Sequence, residues 1–232
     1  MRDLLVIVPS RGRPWRAAEM LDATLALSRA QTDVAVAYDS DDPAAGSYTA
    51  LSGRAGDRVI WYSGPRQSMS AWTNQVALEQ AGNYRALASF GDDHVPRTEG
   101  WDSLLLAALD GMGGTGLVYG NDLLQGGNLP TAIVMSSDIV GALGWMTEPG
   151  MRHYCIDNAW KDLGDGAGCL AYCPDVIIEH CHPGAGKAVY DVTYAEEAAR
   201  DREDQAAYDR WLEQGKAAAV AAVAALRAPA VA

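Results

Sequence analysis

The chain has 232 residues and a formal net charge of -12, with 49% apolar and 21% charged residues. This length is enough for one large α/β domain with a proper core. The acidic balance argues against duplex DNA as a partner, because proteins bind nucleic acid mainly through Lys and Arg. No stretch approaches about eighteen apolar residues, and the first apolar run breaks too early for a secretory signal. We therefore expect a cytoplasmic protein without a membrane span.

Apolar runs and helical patterns alternate through the first half of the chain. Four such runs predict strands, at 4–8, 34–38, 58–62 and 85–90. Helices are predicted behind Pro14 and over the segment SAWTNQVALEQAG, which Gly82 ends. Strands separated by helices favour a mostly parallel sheet, flanked by helices and joined by right-handed crossovers.

The second half is less regular. A helix is predicted over 101–109, and strands are predicted at 116–120, 131–135 and 175–183. The segments SSDIVGALG and IDNAWKDLG predict short helices that end at Gly144 and Gly164. A last helical segment, about 196–227, has apolar positions that predict packing on the main domain or on a second copy of the chain.

Polar side chains follow the carboxyl ends of three predicted strands. The first strand ends in Pro9, Ser10 and Arg11, the second is followed by Asp39 and Asp41, and the fourth leads into Asp92, Asp93 and His94. In open parallel sheets, ligands bind outside this edge. The sequence therefore predicts that these groups converge on one crevice.

Asp92, Asp93 and His94 are the strongest candidates for metal binding. A divalent cation on a diphosphate needs one or two protein carboxylates and leaves its other positions to phosphate oxygens and water. Adjacent carboxylates repel each other, which a cation would relieve, and an imidazole beside them suits Mn²⁺ as well as Mg²⁺. The alternative is a solvated turn, because Asp-rich tripeptides are common in loops.

His180 and His182 are two residues apart on a predicted strand, so their side chains share a face. That face suits joint contact with an ion. The alternative is one half-buried histidine that is satisfied by the backbone and one exposed histidine.

Asp39 and Asp41 could accept hydrogen bonds from a ribose or a base edge, or they could simply form an Asp-rich turn. Arg11, Arg13 and Arg66 could bind phosphate in a bidentate manner, although surface arginines are common. No G-x-G-x-x-G follows the first strand and no Walker lysine motif is present. Both absences argue against a dinucleotide-dependent or P-loop enzyme.

Asp157 lies at a predicted helix start. It is either a helix N-cap or a general base beside the crevice. Trp145 or Trp160 would then offer an apolar face to a sugar ring on the acceptor side.

Taken together, these residues resemble a GT-A-fold glycosyltransferase over residues 3 to 185. The resemblance is carried by VIVPSRGRP, YDSDDP, WTNQVALEQAGNYRALASFGDDHVP, GWM, HYCIDNAW and EHCHP. The chain also resembles the short glycosyltransferases that are common in bacteriophages of actinobacteria, which would place it in the cytoplasm of an infected host.

In that family, an aspartate-x-aspartate motif at the corresponding strand end binds the cation and the diphosphate of a nucleotide sugar. The third position here is His94 instead. The resemblance therefore implies Mn²⁺ or Mg²⁺ on Asp93 and His94, with Asp92 at the sugar or ribose. Family members often add a late histidine to the metal shell, which His180 or His182 matches.

The resemblance also implies roles for other positions. Inverting members often use a carboxylate at a helix start as the base, and Asp157 matches that place. The nucleotide sugar would lie against residues of the first half of the chain, namely Pro9, Ser10, Arg11, Asp39, Asp41, Arg66, Asn74 and Asp92.

The implied organisation is a catalytic domain over residues 1–190, with a nucleotide-sugar half of about 1–97 and an acceptor half of about 98–190. A helical extension follows over 191–232, and its alanine-rich end is expected to fray. We expect this extension to be dispensable for chemistry but needed for solubility or assembly, either by packing on the main domain or through a homodimer contact.

The favoured function is metal-dependent transfer of a sugar to a hydroxyl acceptor. A protein, a glycan or a small molecule is favoured as the acceptor, and modified DNA is the less favoured alternative. A metal-dependent nucleotidyltransferase also needs carboxylates on an α/β sheet, but PSRGRP has one glycine where such enzymes have a Gly-rich loop. A non-catalytic interaction protein could keep the same fold as a scaffold. The intact DDH and EHCH segments argue against a decayed site.

Overall fold

The computed structural model describes residues 1–53, 56–187 and 201–227. We number the helices and strands of these residues in chain order: β1 (Arg2–Ser10), α1 (Pro14–Leu27), β2 (Thr32–Asp39), α2 (Ala45–Ser52), β3 (Val59–Gly64), α3 (Met69–Gln80), β4 (Tyr84–Ser89), β5 (His94–Pro96), α4 (Trp101–Gly111), β6 (Leu117–Asn121), β7 (Ile133–Ser136), α5 (Ser137–Leu143), α6 (Ile156–Gly166), β8 (Leu170–His180), α7 (Asp201–Gln214) and α8 (Lys216–Arg227).

The described strands form an eight-stranded sheet in the order β3-β2-β1-β4-β7-β6-β8-β5. The first four strands pair in parallel, as the alternation of strands and helices predicts. β7 enters antiparallel to both β4 and β6, while β8 pairs in parallel with β6 and antiparallel with β5. The parallel half therefore carries the strand ends at which polar residues are predicted to converge.

Both faces of the sheet are covered, which explains the continuous apolar run of β1. Leu5 and Ile7 pack into a cluster with residues of α3, α5, α6 and α7 on one face. Leu4, Val6 and Val8 pack with residues of α1 and α4 on the other face. β1 is thus a central strand, and its carboxyl end opens between its two neighbours.

Gly144 and Gly164 were both predicted to end helices, and only the first does so. Gly144 has the left-handed φ of 74° that a helix-ending glycine adopts. α6 instead continues through Gly164 to Gly166. A Cβ on Gly164 would lie 2.8 Å from the Cβ of Leu170, so this glycine permits a close approach to β8. A glycine's role in packing cannot be separated from helix termination by sequence alone.

Over the described residues 201–227, the C-terminal segment forms two helices, α7 and α8, where one continuous helical segment over about 196–227 was predicted. The start of that predicted segment, 196–200, and the tail that is expected to fray, 228–232, lie outside the described residues. Its apolar residues Ala207, Trp211 and Val223 are buried in the core cluster of the same chain. These buried residues lie on the apolar face for which a homodimer contact is predicted. The homodimer itself stays a prediction. Among the described residues, no helix has the length and apolar character needed to cross a membrane.

Candidate active site

A cavity of about 500 Å³ opens at the carboxyl ends of β1, β2 and β4. The loops before α3 and α6 and the end of β8 complete its lining. It brings together most of the predicted site residues, namely Pro9, Ser10, Arg11, Asp39, Arg66, Asp92, Asp93, His94, Asp157, Trp160, His180 and His182. Groups from distant parts of the sequence therefore meet in one place.

Three predicted site residues do not line this cavity: Asp41, Asn74 and Trp145. Asp41 is exposed beside it. The Asn74 carboxamide is hydrogen-bonded to the backbone of residues 146–147. Its oxygen accepts two N–H groups at 2.8 and 2.9 Å, and its nitrogen donates to a carbonyl at 2.7 Å. Trp145 is half-buried against the core cluster. In this structure, Asn74 fastens a loop rather than facing the cavity.

Asp92 faces the end of β1. Its carboxylate accepts a hydrogen bond from Ser10 Oγ at 2.6 Å and lies 3.5 Å from the Arg13 guanidinium. The Tyr48 hydroxyl accepts from the Arg13 backbone N–H at 3.0 Å and lies 2.7 Å from Ser10 Oγ. Because Ser10 gives its hydrogen to Asp92, Tyr48 is the donor to Ser10. Burial, followed by the charge of Asp93, raises the pKa of Asp92 to about 7. Sequence reasoning missed Tyr48, because helix α2 carries no clear periodic pattern.

Asp93 faces the opposite way, toward two histidines. β5 pairs with β8 so that His94 stands opposite His180, and their rings stack with centroids 4.0 Å apart. Asp93 Oδ1 lies 3.3 Å from His94 Nδ1, and Asp93 Oδ2 lies 3.5 Å from His180 Nε2. Burial acts to raise the pKa of Asp93, but its contacts with His180 and His94 hold that pKa well below the ordinary value.

The donor atoms of Asp93, His94 and His180 fit a transition-metal ion. One ligand atom from each of the three lies within 4.8 Å of the others. His94 Nε2 and His180 Nδ1 are buried and have no hydrogen-bond partner within the described residues, an unfavourable state for polar atoms. One carboxylate with two imidazoles suits Mn²⁺ better than Mg²⁺, which prefers oxygen ligands.

His182 differs from His180 because β8 ends before it. The predicted shared strand face therefore does not form. The His182 ring lies 5.0 Å from that of His180, edge to face, and its Nδ1 accepts the Gly184 N–H at 3.0 Å. His182 lines the cavity but stands outside the group formed by Asp93, His94 and His180.

Asp39, at the end of β2, links the loop after β1 to the loop before α3 and to α3 itself. Its nearly buried carboxylate accepts hydrogen bonds from Arg11 at 2.8 Å, from the Trp72 indole at 2.8 Å and from the Gln67 backbone N–H at 3.1 Å. Arg11 also bonds Asp41 at 2.8 Å. Asp39 and Asp41 thus hold the Arg11 side chain at the rim.

Asp157 is the second residue of α6 and lines the cavity, while Cys155, with a left-handed φ of 63°, occupies the N-cap position. The Asp157 carboxylate accepts the Asn158 N–H at 2.9 Å, and burial raises its pKa. Trp160 is only 2% exposed, and its indole donates to the Met146 carbonyl at 2.8 Å. Trp160 therefore belongs to the cavity wall and the core rather than to an open stacking surface.

The loop before α6 is held by α7. The Asp204 carboxylate, in a residue that is 1% exposed, accepts the backbone N–H groups of Arg152, His153 and Tyr154 at 2.7, 2.9 and 2.7 Å. All three loop residues line the cavity. Sequence reasoning missed Asp204, because an acidic residue in an acidic helix carries no signal of a distant backbone partner.

Comparisons with known proteins bear on the fold. No family model matches the chain. No curated protein sequence matches it either. Solved structures do: a mannosyltransferase from Pyrobaculum calidifontis in complex with GDP-Man and Mn²⁺ has a TM-score of 0.59 and 13% identity, over 97% of this chain and 75% of that one.

Two further solved structures are similar to this chain to the same degree. Glucosyl-3-phosphoglycerate synthase from Mycobacterium tuberculosis, in complex with Mn²⁺, UDP and glucosyl-3-phosphoglycerate, has a TM-score of 0.60 and 12% identity over 89% of this chain and 78% of that one. S. aureus TarS 1-349, in complex with UDP-GlcNAc, has a TM-score of 0.59 and 13% identity over 93% of this chain and 74% of that one. The predicted GT-A-like α/β fold is confirmed, and these structural neighbours are nucleotide-sugar glycosyltransferases.

Proposed function

We propose that this chain is a Mn²⁺-dependent glycosyltransferase that moves a sugar from a nucleoside-diphosphate sugar to a hydroxyl group. One observation carries the proposal. Asp93, His94 and His180 form a metal-compatible group in the same cavity as Asp92, at the sheet edge where α/β proteins bind ligands. The nucleotide sugars and Mn²⁺ that the neighbours contain support the same class of reaction.

Different side chains of the cavity would bind different parts of the donor. Asp93, His94 and His180 would hold the cation, which when bound neutralises charge on the leaving diphosphate as a Lewis acid. Asp92 is engaged by Ser10 and is left to the sugar or the ribose. Since Asp92 is held from the β1 side, the two adjacent carboxylates serve different parts of the donor.

Cationic side chains on the rim would complete the donor site. Arg11 is fixed by Asp39 and Asp41, and Arg66 lines the same cavity ahead of α3. Guanidinium groups bind phosphate oxygens with paired hydrogen bonds. Pro9 at the end of β1 would lie against the nucleoside.

Asp157 would take the proton from the acceptor hydroxyl. A general base works best when its pKa lies near the working pH, and burial shifts the pKa of Asp157 upward in that direction. The acceptor then enters between the loop before α6 and the cation-binding group. This assignment follows the division into a nucleotide-sugar half of about residues 1–97 and an acceptor half of about 98–190, except that His180 of the second half would join the cation-binding group.

The acceptor that we propose is a protein side chain, a glycan or a small molecule. A duplex-DNA acceptor would need many cations along one face, whereas the chain has 18 Lys and Arg against 30 Asp and Glu. The resemblance to phage glycosyltransferases would place the reaction in the cytoplasm of an infected host.

A panel of donors tests the proposal. The purified chain is mixed with Mn²⁺ and with uridine, guanosine, thymidine or cytidine diphosphate sugars, and thermal shift and release of nucleoside diphosphate are measured. We expect at least one donor to stabilise the protein only when Mn²⁺ is present. If no donor is bound or turned over, the proposal is wrong. Release of pyrophosphate from a nucleoside triphosphate would support a nucleotidyltransferase instead.

A further inference from the structure

Helix α7, in the C-terminal extension, contributes a buried carboxylate that no catalytic step uses. Asp204 is 1% exposed, although it belongs to a helix whose other acidic residues are exposed. Burying a carboxylate is unfavourable unless hydrogen bonds replace its water. Asp204 obtains these from three successive backbone N–H groups, those of residues 152–154. The helix is therefore fastened to the loop that precedes α6.

This loop is fastened on its other side as well. The Ser70 backbone N–H, in the first turn of α3, donates to the Arg152 carbonyl at 3.0 Å. The Arg152 residue thus bridges α7 and the start of α3, where Ser68 and Met69 line the cavity. Movement of α7 would be transmitted directly to the cavity lining.

Further contacts keep α7 in place against α6, the helix that carries Asp157. Tyr208 donates a hydrogen bond to Asp162, and Lys216, the first residue of the following helix α8, pairs with Asp162 at 2.7 Å. Trp211, 6% exposed, packs into the core cluster. The position of Asp204 is consequently set by packing rather than by the loop that it holds.

We propose that Asp204 is a positioning residue for the acceptor side of the site and that α7 is an integral part of the active centre. Asp204 holds residues 152–154 in one conformation and thereby sets the entry of α6 and the place of Asp157. Small displacements of a reacting group lower rates strongly, so a loosened loop would impair turnover. The inference rests on the proposed function, and it contradicts the expectation that the extension is dispensable for chemistry.

The variant Asp204→Asn tests this inference. The amide has the same shape, but its NH₂ group must face at least one of the three backbone N–H donors, so at least one hydrogen bond is lost. Glu203→Gln is the matched control, because it removes one charge from an exposed position on the same helix. Each protein is measured for amide hydrogen exchange, for Mn²⁺-dependent nucleoside-diphosphate affinity and for donor turnover.

In the wild type and in Glu203→Gln, we expect the amides of residues 152–154 to be protected, although they lie outside any helix or strand. In Asp204→Asn, their exchange should accelerate at least tenfold and turnover should fall at least tenfold. Nucleotide affinity should stay within about twofold, because Asp93, at the end of the β4–β5 loop, and His94 and His180, on β5 and β8, all lie outside the loop that Asp204 holds. If Asp204→Asn fails to fold, Asp204→Glu replaces it, since the longer side chain keeps the charge but displaces the oxygens.

Two results would overturn the inference. One is unprotected amides at residues 152–154 in the wild type, and the other is normal turnover in a variant whose loop amides exchange faster. Absence of nucleotide binding in the wild type would refute the proposed function instead. The exchange data would still decide whether Asp204 holds the loop.

Discussion

Asp92 and Asp93 are neighbours in the chain, yet their carboxylates engage opposite sides of the cavity. Asp92 bonds Ser10 at the end of β1, whereas Asp93 lies between the imidazoles of His94 and His180. Their pKa values move apart accordingly, with Asp92 raised to about 7, chiefly by burial and then by Asp93, and Asp93 lowered well below its ordinary value despite its burial. Adjacent carboxylates with different environments can carry different roles in one site.

The first prediction concerns the cation. Asp93→Asn should reduce Mn²⁺ affinity at least a hundredfold, since even outer-shell partners of a metal site contribute about 10–100-fold. Electron paramagnetic resonance of free Mn²⁺ measures this without any substrate. Asp165→Asn is the control, because it removes an exposed carboxylate that pairs with Lys161 on α6. Unchanged affinity in Asp93→Asn would remove Asp93 from the metal group.

The second prediction concerns proton transfer. Asp157→Asn should bind donor and Mn²⁺ as the wild type does, yet lose transfer by about 10²–10⁴-fold, because an amide cannot accept the proton. Comparison of donor affinity with transfer rate in the same preparations measures the effect. Transfer at the wild-type rate would leave Asp157 with a structural role at the start of α6.

The same residue predicts how stability depends on pH. Burial raises the pKa of Asp157, so the folded chain binds a proton more readily than the unfolded chain does. Its contribution to stability is therefore present below the unfolded pKa and is lost as the pH rises through the folded pKa. Without metal, Asp157→Asn should melt a few degrees above the wild type at pH 7 to 8, and this difference should vanish near pH 3 to 4. Melting curves across this range, on chains that stay folded, provide the measurement. A difference that grows toward acid pH would contradict the assignment.

The fourth prediction concerns the approach of β6 and β8. A Cβ on Gly120 would lie 2.4 Å from the Val176 carbonyl oxygen, at a register shift between the two strands. Gly120→Ala should destabilise the fold by about 1–3 kcal/mol, as overpacking does. Gly141, inside α5, has nothing within 4 Å of such a Cβ, so Gly141→Ala should stabilise by about 0.5–1 kcal/mol. Urea unfolding of both variants measures the two changes in unfolding free energy. If Gly120→Ala were no more destabilising than Gly141→Ala, the close contact at Gly120 would be relieved by a small local shift.

The parallel half of the fold could be predicted because each strand is a short apolar run that ends in polar residues. Asp39, Asp92 and Asp93 line the cavity for this reason. The pattern gives the position of a side chain along a strand, but not the partner to which it bonds. Asn74 illustrates the limit, since a polar residue within a helix has no sequence feature that separates a loop contact from a cavity contact.

Two residues that contribute to the site across long sequence distances escaped prediction. Tyr48 and Asp204 reach the site from helices whose local sequences are unremarkable for any binding role. His180 and His182 could not be separated, because the choice depends on where β8 ends, and strand boundaries are the least reliable part of a sequence-based prediction. In each case, tertiary pairing decides the contact.

The pairing of His94 with His180 has a consequence for the order in which the molecule assembles. β5 lies before the middle of the chain, and β8 is the last strand among the described residues. The three-residue metal group therefore cannot exist until the late strand has docked, even when the sheet of β1 to β4 is complete. During refolding, cation uptake should consequently report the docking of β8 on β5 and not the pairing of β1 to β4. A cation bound to Asp93, His94 and His180 would in turn stabilise the complete sheet relative to any state in which β8 has detached.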